Sequence, residues 1–372
     1  MTPSKYRHLF SVALCIFGIA SFAVAQTSTP TPKPKDEDEI IKVESRLVVV
    51  PVSVTDKDGQ PILGLTAQDF RISEEGRNQT IESVGAAANV PLEIALLFDV
   101  SASTDKMFKF EQETAAKFLQ DVMRPDDRAT VFAIGSKVQL VAPRETAERA
   151  AAAVRSIVPT KDSTAFFDTV GEAAEYLRRT AREGTRRVIV VVSDGEDTNS
   201  TQIAKAIQDG YRKIGDRINT IDSKTLYQLT VANRNDASDR ERQRVLRLLQ
   251  NADTVFYSIN PAGSSFQLNK ISVYGQENMR KFADETGGSA FLPKFQPIDT
   301  KDGYQNTIST RKNTELLDRI FRQLANELRS QYLIQYYSES DFPLNKFVKL
   351  DVGVSKRPEL RMRARQGYYV KK

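Results

Sequence analysis

The stretch that decides the fold is Ile94-Ala95-Leu96-Leu97-Phe98-Asp99-Val100-Ser101-Ala102-Ser103. It begins with five apolar residues, which predict a strand buried on both faces, and a helical pattern follows it. Between the strand and the helix, Asp99 offers a carboxylate, and Ser101 and Ser103 offer hydroxyls. Oxygen ligands of this kind suit Mg²⁺, Mn²⁺ or Ca²⁺ rather than a soft metal. The stretch therefore predicts a buried strand that ends on a cation-binding loop.

The residues after Pro91 alternate between strand and helix patterns. Val188-Ile189-Val190-Val191-Val192 is a continuous apolar run, as expected of a parallel sheet covered on both faces. Helical stripes lie between the strands, and the first contains Phe108, Ala115 and Phe118. This alternation predicts an α/β domain with a doubly wound, mostly parallel sheet. Its strands are expected at 92–98, 130–134, 138–141, 187–192, 254–259 and 289–292.

Both flanks of this domain have strand patterns instead. Neither flank can bury a face alone, so we expect residues 41–90 and 331–372 to pair as the two halves of an immunoglobulin-like β-sandwich. The α/β domain, residues 91–330, would then be inserted in this sandwich or flanked by it. Seven sandwich strands are expected, at 48–54, 61–63, 69–73, 79–84, 332–336, 348–354 and 360–364.

The N-terminus has the pattern of a secretory signal. Lys5 and Arg7 form a positive region, residues 9–22 are apolar but short for a bilayer, and an Ala-Val-Ala cleavage site follows. We expect residues 1–25 to be removed and the protein to be secreted, to the periplasm or the exterior, without stable membrane insertion. An uncleaved anchor helix is the alternative. Residues 26–40 are rich in Thr, Pro and Lys and predict a disordered linker.

The composition excludes several kinds of active site. The only Cys and the only His, Cys15 and His8, both lie in the signal segment. The remaining chain therefore has no Cys nucleophile, His-containing triad, His-ligated zinc or disulfide. The formal net charge of +5 is small and dispersed, which does not favour nucleic acid as a partner. We expect a protein that is not an enzyme, and a hydrolase that uses metal-bound water is the enzymatic alternative.

Two later loops carry residues that suit the same cation. Thr164 precedes a helix, and Asp194 follows the strand expected at 187–192. A doubly wound sheet brings the loops at the carboxyl ends of its strands to one crevice, and a divalent cation needs about six oxygen ligands. The pattern Asp99-x-Ser101-x-Ser103, with Thr164 and Asp194 downstream, resembles the metal-ion-dependent adhesion site of the von Willebrand factor type A domain.

The resemblance covers about residues 91–330 and implies a role for each site residue. The two serines would bind the metal through their hydroxyls, the threonine directly or through water, and the aspartates partly through water. Mg²⁺, or else Mn²⁺ or Ca²⁺, would keep one position open for an Asp or Glu of a protein ligand. The implied metal ligands are Asp99, Ser101, Ser103, Thr164 and Asp194.

Alternatives remain for several of these residues. Ser101 and Ser103 are also suited to cap the helix that follows them. Asp168 and Asp197 are expected either to orient the metal ligands from behind or to cap helices, and Glu196 to face solvent.

Motifs across the flanks resemble a von Willebrand A-related family of secreted proteins common in Acidobacteria. These motifs are Val50–Asp56, Gly64-Leu65-Thr66, Ser193–Thr198, Glu285–Gly288 and Arg365–Tyr369. The resemblance implies a secreted, divalent-cation-dependent binding or adhesion protein. The alternative is a structural or assembly component of the cell envelope in which the metal serves only folding.

Three further segments exceed what a minimal α/β domain needs. Residues 209–240 form a polar insertion, either a solvated excursion or an element that binds a partner. Long loops are expected at 261–275 and 293–312, with Tyr274 and Tyr304 as candidate ligand contacts.

Overall fold

Fourteen strands form three sheets in the residues that the computed structural model describes, which are 46–101, 105–160, 163–261, 270–298, 300–355, 357 and 359–371. The expected signal segment, the linker and Ser103 lie outside those residues. In chain order the strands are β1 (Arg46–Thr55), β2 (Phe70–Glu74), β3 (Arg77–Gln79), β4 (Ile81–Ala86), β5 (Leu92–Asp99), β6 (Arg128–Ile134), β7 (Val138–Glu145), β8 (Arg186–Val192), β9 (Thr254–Ile259), β10 (Ala290–Phe291), β11 (Tyr332–Ser338), β12 (Phe347–Val354), β13 (Arg361–Ala364) and β14 (Gly367–Tyr369).

In the part of the chain that the structure describes, seven α-helices alternate with the strands of the middle region. Within the described residues, no helix combines the length and the apolar character needed to cross a bilayer. The helices are α1 (Asp105–Val122), α2 (Ala147–Ser156), α3 (Phe166–Thr180), α4 (Thr201–Ile214), α5 (Ser223–Asn251), α6 (Lys270–Thr286) and α7 (Gly303–Ser330). Short 3₁₀ turns lie at Ala67–Asp69, Ala87–Asn89 and Gly215–Asn219.

The central sheet has six strands in the order β10-β9-β8-β5-β6-β7. All neighbouring pairs are parallel except β6 and β7, which are antiparallel. Counted along the chain from β5, this order is 3-2-1-4-5-6, the order of a doubly wound fold. The prediction of a mostly parallel α/β sheet is confirmed, and the order reverses between β5 and β8. Ligands of such sheets bind in the crevice beyond the strand ends at this reversal.

Strand β5 is buried on both faces, as its continuous apolar sequence predicts. Leu96 and Phe98 pack in one cluster with α1, α2 and α7, whereas Ala95 and Leu97 pack in a second cluster with α3, α4, α5 and α6. Because successive side chains of a strand point to opposite faces, one short strand anchors both helical layers. The end of β5 is therefore held firmly in place.

The other two sheets each combine strands from both ends of the chain. One has the order β13-β1-β11-β4 and the other β14-β12-β2-β3, and their inner faces share one hydrophobic cluster. The count is eight strands rather than seven. Residues 61–63 contribute only an isolated bridge between Pro61 and Thr55, the segment 79–84 is divided between β3 and β4, and β14 is additional. The immunoglobulin-like assignment stays a prediction.

The helical boundaries correct the two long loops expected at 261–275 and 293–312. Most of the insertion 209–240 is also helical, because α4 ends at Ile214, α5 spans Ser223–Asn251, and the carboxylate of Asp222 accepts hydrogen bonds from the first free N–H groups of α5. Tyr274 lies inside α6 rather than in a loop, and Tyr304 lies in the first turn of α7. The residues 262–269 of the expected loop lie outside the described part of the chain.

The central sheet and the two flanking sheets belong to one compact unit, Val43–Lys372. Helix α7 leads directly into β11, and buried polar side chains connect its end to both parts. Gln331 donates hydrogen bonds to Ser53 of β1 at 3.0 Å and to Tyr257 of β9 at 2.9 Å. Satisfied buried hydrogen bonds of this kind favour one relative arrangement of the elements they join.

Candidate metal site

Three loops meet where β5 and β8 end. Strand β5 ends at Asp99, and β8 ends one residue before Ser193, with Phe98 and Val192 in register on the neighbouring strands. The hydroxyl of Ser193 donates to Oδ2 of Asp99 at 2.6 Å, which joins the two loops directly. Asp194 is the next residue of the second loop. The two predicted carboxylates therefore lie at the reversal of strand order.

The carboxylate of Asp99 is 6% exposed and accepts hydrogen bonds on both oxygens. Its Oδ1 accepts from the backbone N–H of Ser101 at 2.9 Å and from the Ser101 hydroxyl at 2.6 Å. Burial raises the pKa of Asp99, the hydrogen bonds from Ser101 and Ser193 oppose that rise, and the charge of Glu196 adds to it. Ser101 and Asp99 are thus held together, as the predicted site requires.

The loop that carries Thr164 is fastened to both of its neighbours. The backbone N–H of Thr164 donates to the Thr198 hydroxyl at 2.9 Å, and its carbonyl accepts from the N–H groups of Thr198 and Asn199, both at 2.9 Å. The N–H of Ala165 donates to the carbonyl of Gly135, beyond the end of β6, at 2.7 Å. Thr164, which is 5% exposed, is therefore positioned by backbone bonds at the same edge of the sheet.

Asp194 is a second, half-buried carboxylate at this edge. Burial raises its pKa to about 6, and the charges of Asp99 and Glu196 add to the rise. Its Oδ1 accepts one hydrogen bond, from the N–H of Glu196 at 2.9 Å. Repulsion between carboxylates that are held close and away from water is relieved when a cation binds between them.

The donor chemistry fits a hard divalent cation. Among the described residues, no group of three or more His, Cys, Asp or Glu side chains is arranged to hold a metal. The predicted set differs from such groups because it mixes two carboxylates with hydroxyls, and Asp99, Ser101, Thr164 and Asp194 lie on the three loops that meet. The fifth predicted ligand, Ser103, lies outside the described residues.

Asp197 and Asp168 form hydrogen bonds at the starts of helices. The Asp197 carboxylate accepts from the N–H groups of Phe167 at 2.8 Å and Ser200 at 2.9 Å, near the beginnings of α3 and α4. The Asp168 carboxylate accepts from the N–H and the hydroxyl of Thr201, each at 2.8 Å. Both residues therefore cap helices next to the predicted site.

Residues 94–196, which include most of β5, all of β8 and the loops of Asp99, Thr164 and Asp194, match the family model of the von Willebrand factor type A domain. This part of the chain is therefore similar to a von Willebrand factor type A domain. The chain matches none of the curated proteins with which it was compared.

The solved structures that are similar to the chain include proximal thread matrix protein 1 from the mussel byssus. That match has 12% identity and a TM-score of 0.40, and it covers 69% of this chain and 50% of the mussel protein. The chain thus spans about half the length of that protein. Another structure of the mussel protein has zinc in its metal-ion-dependent adhesion site (MIDAS) motif. BatB from Bacteroides thetaiotaomicron has 13% identity and a TM-score of 0.31, with 61% of this chain and 99% of BatB covered.

The structure adds residues to the candidate metal site that the sequence did not single out. Glu111 of α1 is 5% exposed, and its pKa rises to about 8 because of burial, with a further contribution from the charge of Asp99. A signal existed, since Glu111 lies on the same helical stripe as Phe108, Ala115 and Phe118, where an apolar residue is expected. The second added residue is Ser193, whose hydroxyl donates a hydrogen bond to the carboxylate of Asp99.

The expectation that Glu196 faces solvent is wrong, because its carboxylate is half-buried and accepts a hydrogen bond from Ser272 of α6. The loop that carries it also approaches α6 very closely. Gly195 has a φ of +76°, and a Cβ there would lie 2.6 Å from the carbonyl oxygen of Gly275. Only glycine fits at position 195 without a shift of the backbone. The second acidic loop of the candidate metal site is thus fixed against α6.

Proposed function

We propose that the chain is a secreted, divalent-cation-dependent binding protein that engages an Asp or Glu of a protein ligand. The observation that carries the proposal is the pair of carboxylates, buried Asp99 and half-buried Asp194, on adjacent loops at the reversal of strand order. The charge of Asp99 raises the electrostatic cost of ionising Asp194, and the hydroxyls of Ser101 and Ser193 donate hydrogen bonds to Asp99. A cation at this point would remove that cost and make the cluster a ligand-binding surface.

The chemistry of the donors supports the mode of binding. Hydroxyls are neutral ligands, so a divalent ion held by them and by two carboxylates keeps an affinity for a further anionic oxygen. A carboxylate from a partner protein would supply it. We propose Mg²⁺ as the ion, with Mn²⁺ or Ca²⁺ as alternatives, and Asp99, Ser101, Ser103, Thr164 and Asp194 as the residues that hold it. No residue of the cluster needs to act as a catalyst for this role.

An affinity experiment tests the function. The immobilised protein is exposed to extracts of the cell envelope in Mg²⁺ and in chelator, and retained proteins are challenged with an excess of a peptide that contains glutamate. We expect retention only with Mg²⁺ and release by the peptide, because the ion binds the ligand's carboxylate. Asp194→Ala should abolish retention, whereas Asp126→Ala, an exposed aspartate before β6, should retain as the wild type does.

The same experiment separates the structural alternative. If Mg²⁺ raises the melting temperature of the protein but retention is the same in Mg²⁺ and chelator, the metal serves folding and the adhesive function is wrong. Equal retention by Asp194→Ala and wild type would also contradict the proposal.

A further inference from the structure

A cavity of about 520 Å³ lies at the end of the central sheet opposite to the metal site. One wall is made by the beginnings of β8 and β9, including Arg187 and Thr254, and the other by β1 and β11 of a flanking sheet. The volume is in the range of pockets that bind small molecules. The cavity is large enough to be a binding site, and it is separate from the metal site because it lies at the other end of the sheet.

The wall on the flanking sheet is apolar. Leu47 and Val49 of β1 lie on its outer face, 48% and 37% exposed, opposite Tyr337 and Gln335 of β11 in the antiparallel register. The inner face of the same strand buries its alternate valines in the sandwich cluster. An exposed apolar face that borders a cavity is typical of a ligand site rather than of solvated surface.

The opposite wall and the rim are basic. The cavity is lined by five basic side chains and by only two acidic ones, Glu183 and Asp253. Asp253 is paired with Arg365 at 2.9 Å and with Lys371. The basic side chains are Arg46, Arg186, Arg187, Arg365 and Lys371. We call these five residues, with Leu47 and Val49, the arginine cleft.

Several guanidinium groups of the arginine cleft keep an unused donor. The Nε atoms of Arg186, Arg187 and Arg365 are buried and have no hydrogen-bond partner among the described residues. Other nitrogens of these groups are engaged, since Nη1 of Arg187 donates to the Ala252 carbonyl at 3.0 Å and Nη1 of Arg186 donates to the Leu328 carbonyl at 2.8 Å. Arg186 is only 8% exposed. A buried donor without an acceptor is costly, and an anion in the cavity would supply acceptors.

We propose that the arginine cleft binds a small organic anion with an apolar body. The anionic group would lie near Arg187, Arg365 and Lys371, and the apolar body would lie against Leu47 and Val49. The site is separate from the metal site, and its occupancy does not depend on the proposed adhesive function.

Fluorescence of 8-anilinonaphthalene-1-sulfonate, an aromatic anion, measures binding to the purified protein. We expect saturable binding that decanoate displaces. Acetate lacks the apolar body and decyltrimethylammonium reverses the charge, so each should need at least about ten times the concentration of decanoate. Arg187→Gln and Lys371→Gln should each weaken decanoate binding, the first about tenfold, because an ionic hydrogen bond to the ligand is lost.

Val49→Asp should abolish binding, since it places a carboxylate on the apolar wall. Arg179→Gln on α3 and Leu140→Asp on β7 are matched controls, exposed and outside the cleft, and should bind as the wild type does. Asp99→Ala should also bind normally. The proposal would be overturned if decyltrimethylammonium displaced the dye as well as decanoate does. It would also be overturned if Arg187→Gln and Lys371→Gln both bound decanoate with wild-type affinity. Those two conservative variants decide the outcome even if Val49→Asp does not fold.

Discussion

The two ends of strand β8 differ in the sign of the charged side chains that lie beside them. Strand β8 begins with Arg186 and Arg187 in the arginine cleft and is followed by Ser193 and Asp194 at the metal site, about 23 Å away at the usual rise of a strand. At one end, burial raises the pKa of carboxylates. At the other, it lowers the pKa of Arg186 to about 10. One apolar strand thus supports two sites that suit ions of opposite charge.

The largest effect that tests this comparison is the pH dependence of stability in metal-free protein. The pKa of Glu111 is about 8 in the folded chain and about 4.5 when unfolded. Between these values the unfolded chain releases a proton that the folded chain keeps, so the free energy of unfolding falls as pH rises and levels off above about 8. Glu111→Gln cannot ionise. It should be more stable than the wild type by about 4 to 5 kcal/mol at pH 8.5 and nearly equal at pH 4.

Urea denaturation across pH 4 to about 8.5, without metal, measures this difference. Glu113→Gln is the matched control, because the Glu113 carboxylate lies on the same helix and is accessible to solvent. Above pH 5, the free energy of unfolding of this variant should change with pH as that of the wild type does. The arginine cleft does not contribute in this window, since Arg186 stays charged below pH 9. Identical slopes for Glu111→Gln and wild type would mean that the metal-site end does not bury this acid as described.

Glycines at the two ends give the second test. Gly195 and Gly184 both have positive φ, +76° and +72°, but a Cβ on Gly184 meets no atom within 4 Å, whereas a Cβ on Gly195 would clash with Gly275. Gly184→Ala should destabilise by about 1 kcal/mol through backbone strain alone, and Gly195→Ala by about 3 kcal/mol. Thermal unfolding of both variants measures the difference. Equal losses would show that the loop of Asp194 is not packed tightly on α6.

The smallest expected effect separates capping from metal binding. Asp168→Asn keeps the shape of the side chain but removes the negative charge that faces the start of α4. We therefore expect the free energy of unfolding to fall by about 1 kcal/mol. Mg²⁺ affinity should stay within about twofold of the wild type, since Asp168 caps Thr201. Asp284→Asn, on exposed α6 surface, should change neither quantity. A tenfold loss of Mg²⁺ affinity in Asp168→Asn would assign Asp168 to the metal site instead.

The central sheet was predictable because its signal is local. Runs such as residues 188–192 suit only a strand covered on both faces, and all six predicted strands exist. Most of helix α5 was not predicted because its buried stripe, Ala237, Glu241, Val245 and Leu249, contains a charged residue that hides the helical period. Glu241 is buried there because Arg244 pairs with it at 2.7 Å. Tertiary packing, rather than a local sequence pattern, therefore determines the helical conformation of that segment.

The candidate metal site was partly accessible from the sequence for a topological reason. Residues that follow strands of a doubly wound sheet converge, so Asp99 and Asp194 could be placed together before the structure was known. Glu111 and the Gly195–Gly275 contact could not, because both depend on how helices pack over the loops. The arginine cleft has no local signal, since Arg46, Arg187 and Arg365 come from remote segments that meet only in the fold.

Calorimetric titration of Mg²⁺ into the metal-free protein tests the central claim most directly. We predict binding to a single site, a loss of at least about a hundredfold in affinity in Asp99→Ala, and unchanged affinity in Asp126→Ala, whose carboxylate is exposed before β6. No measurable binding by the wild type, or the same affinity in Asp99→Ala as in the wild type, would contradict the assignment of a cation to the ends of β5 and β8.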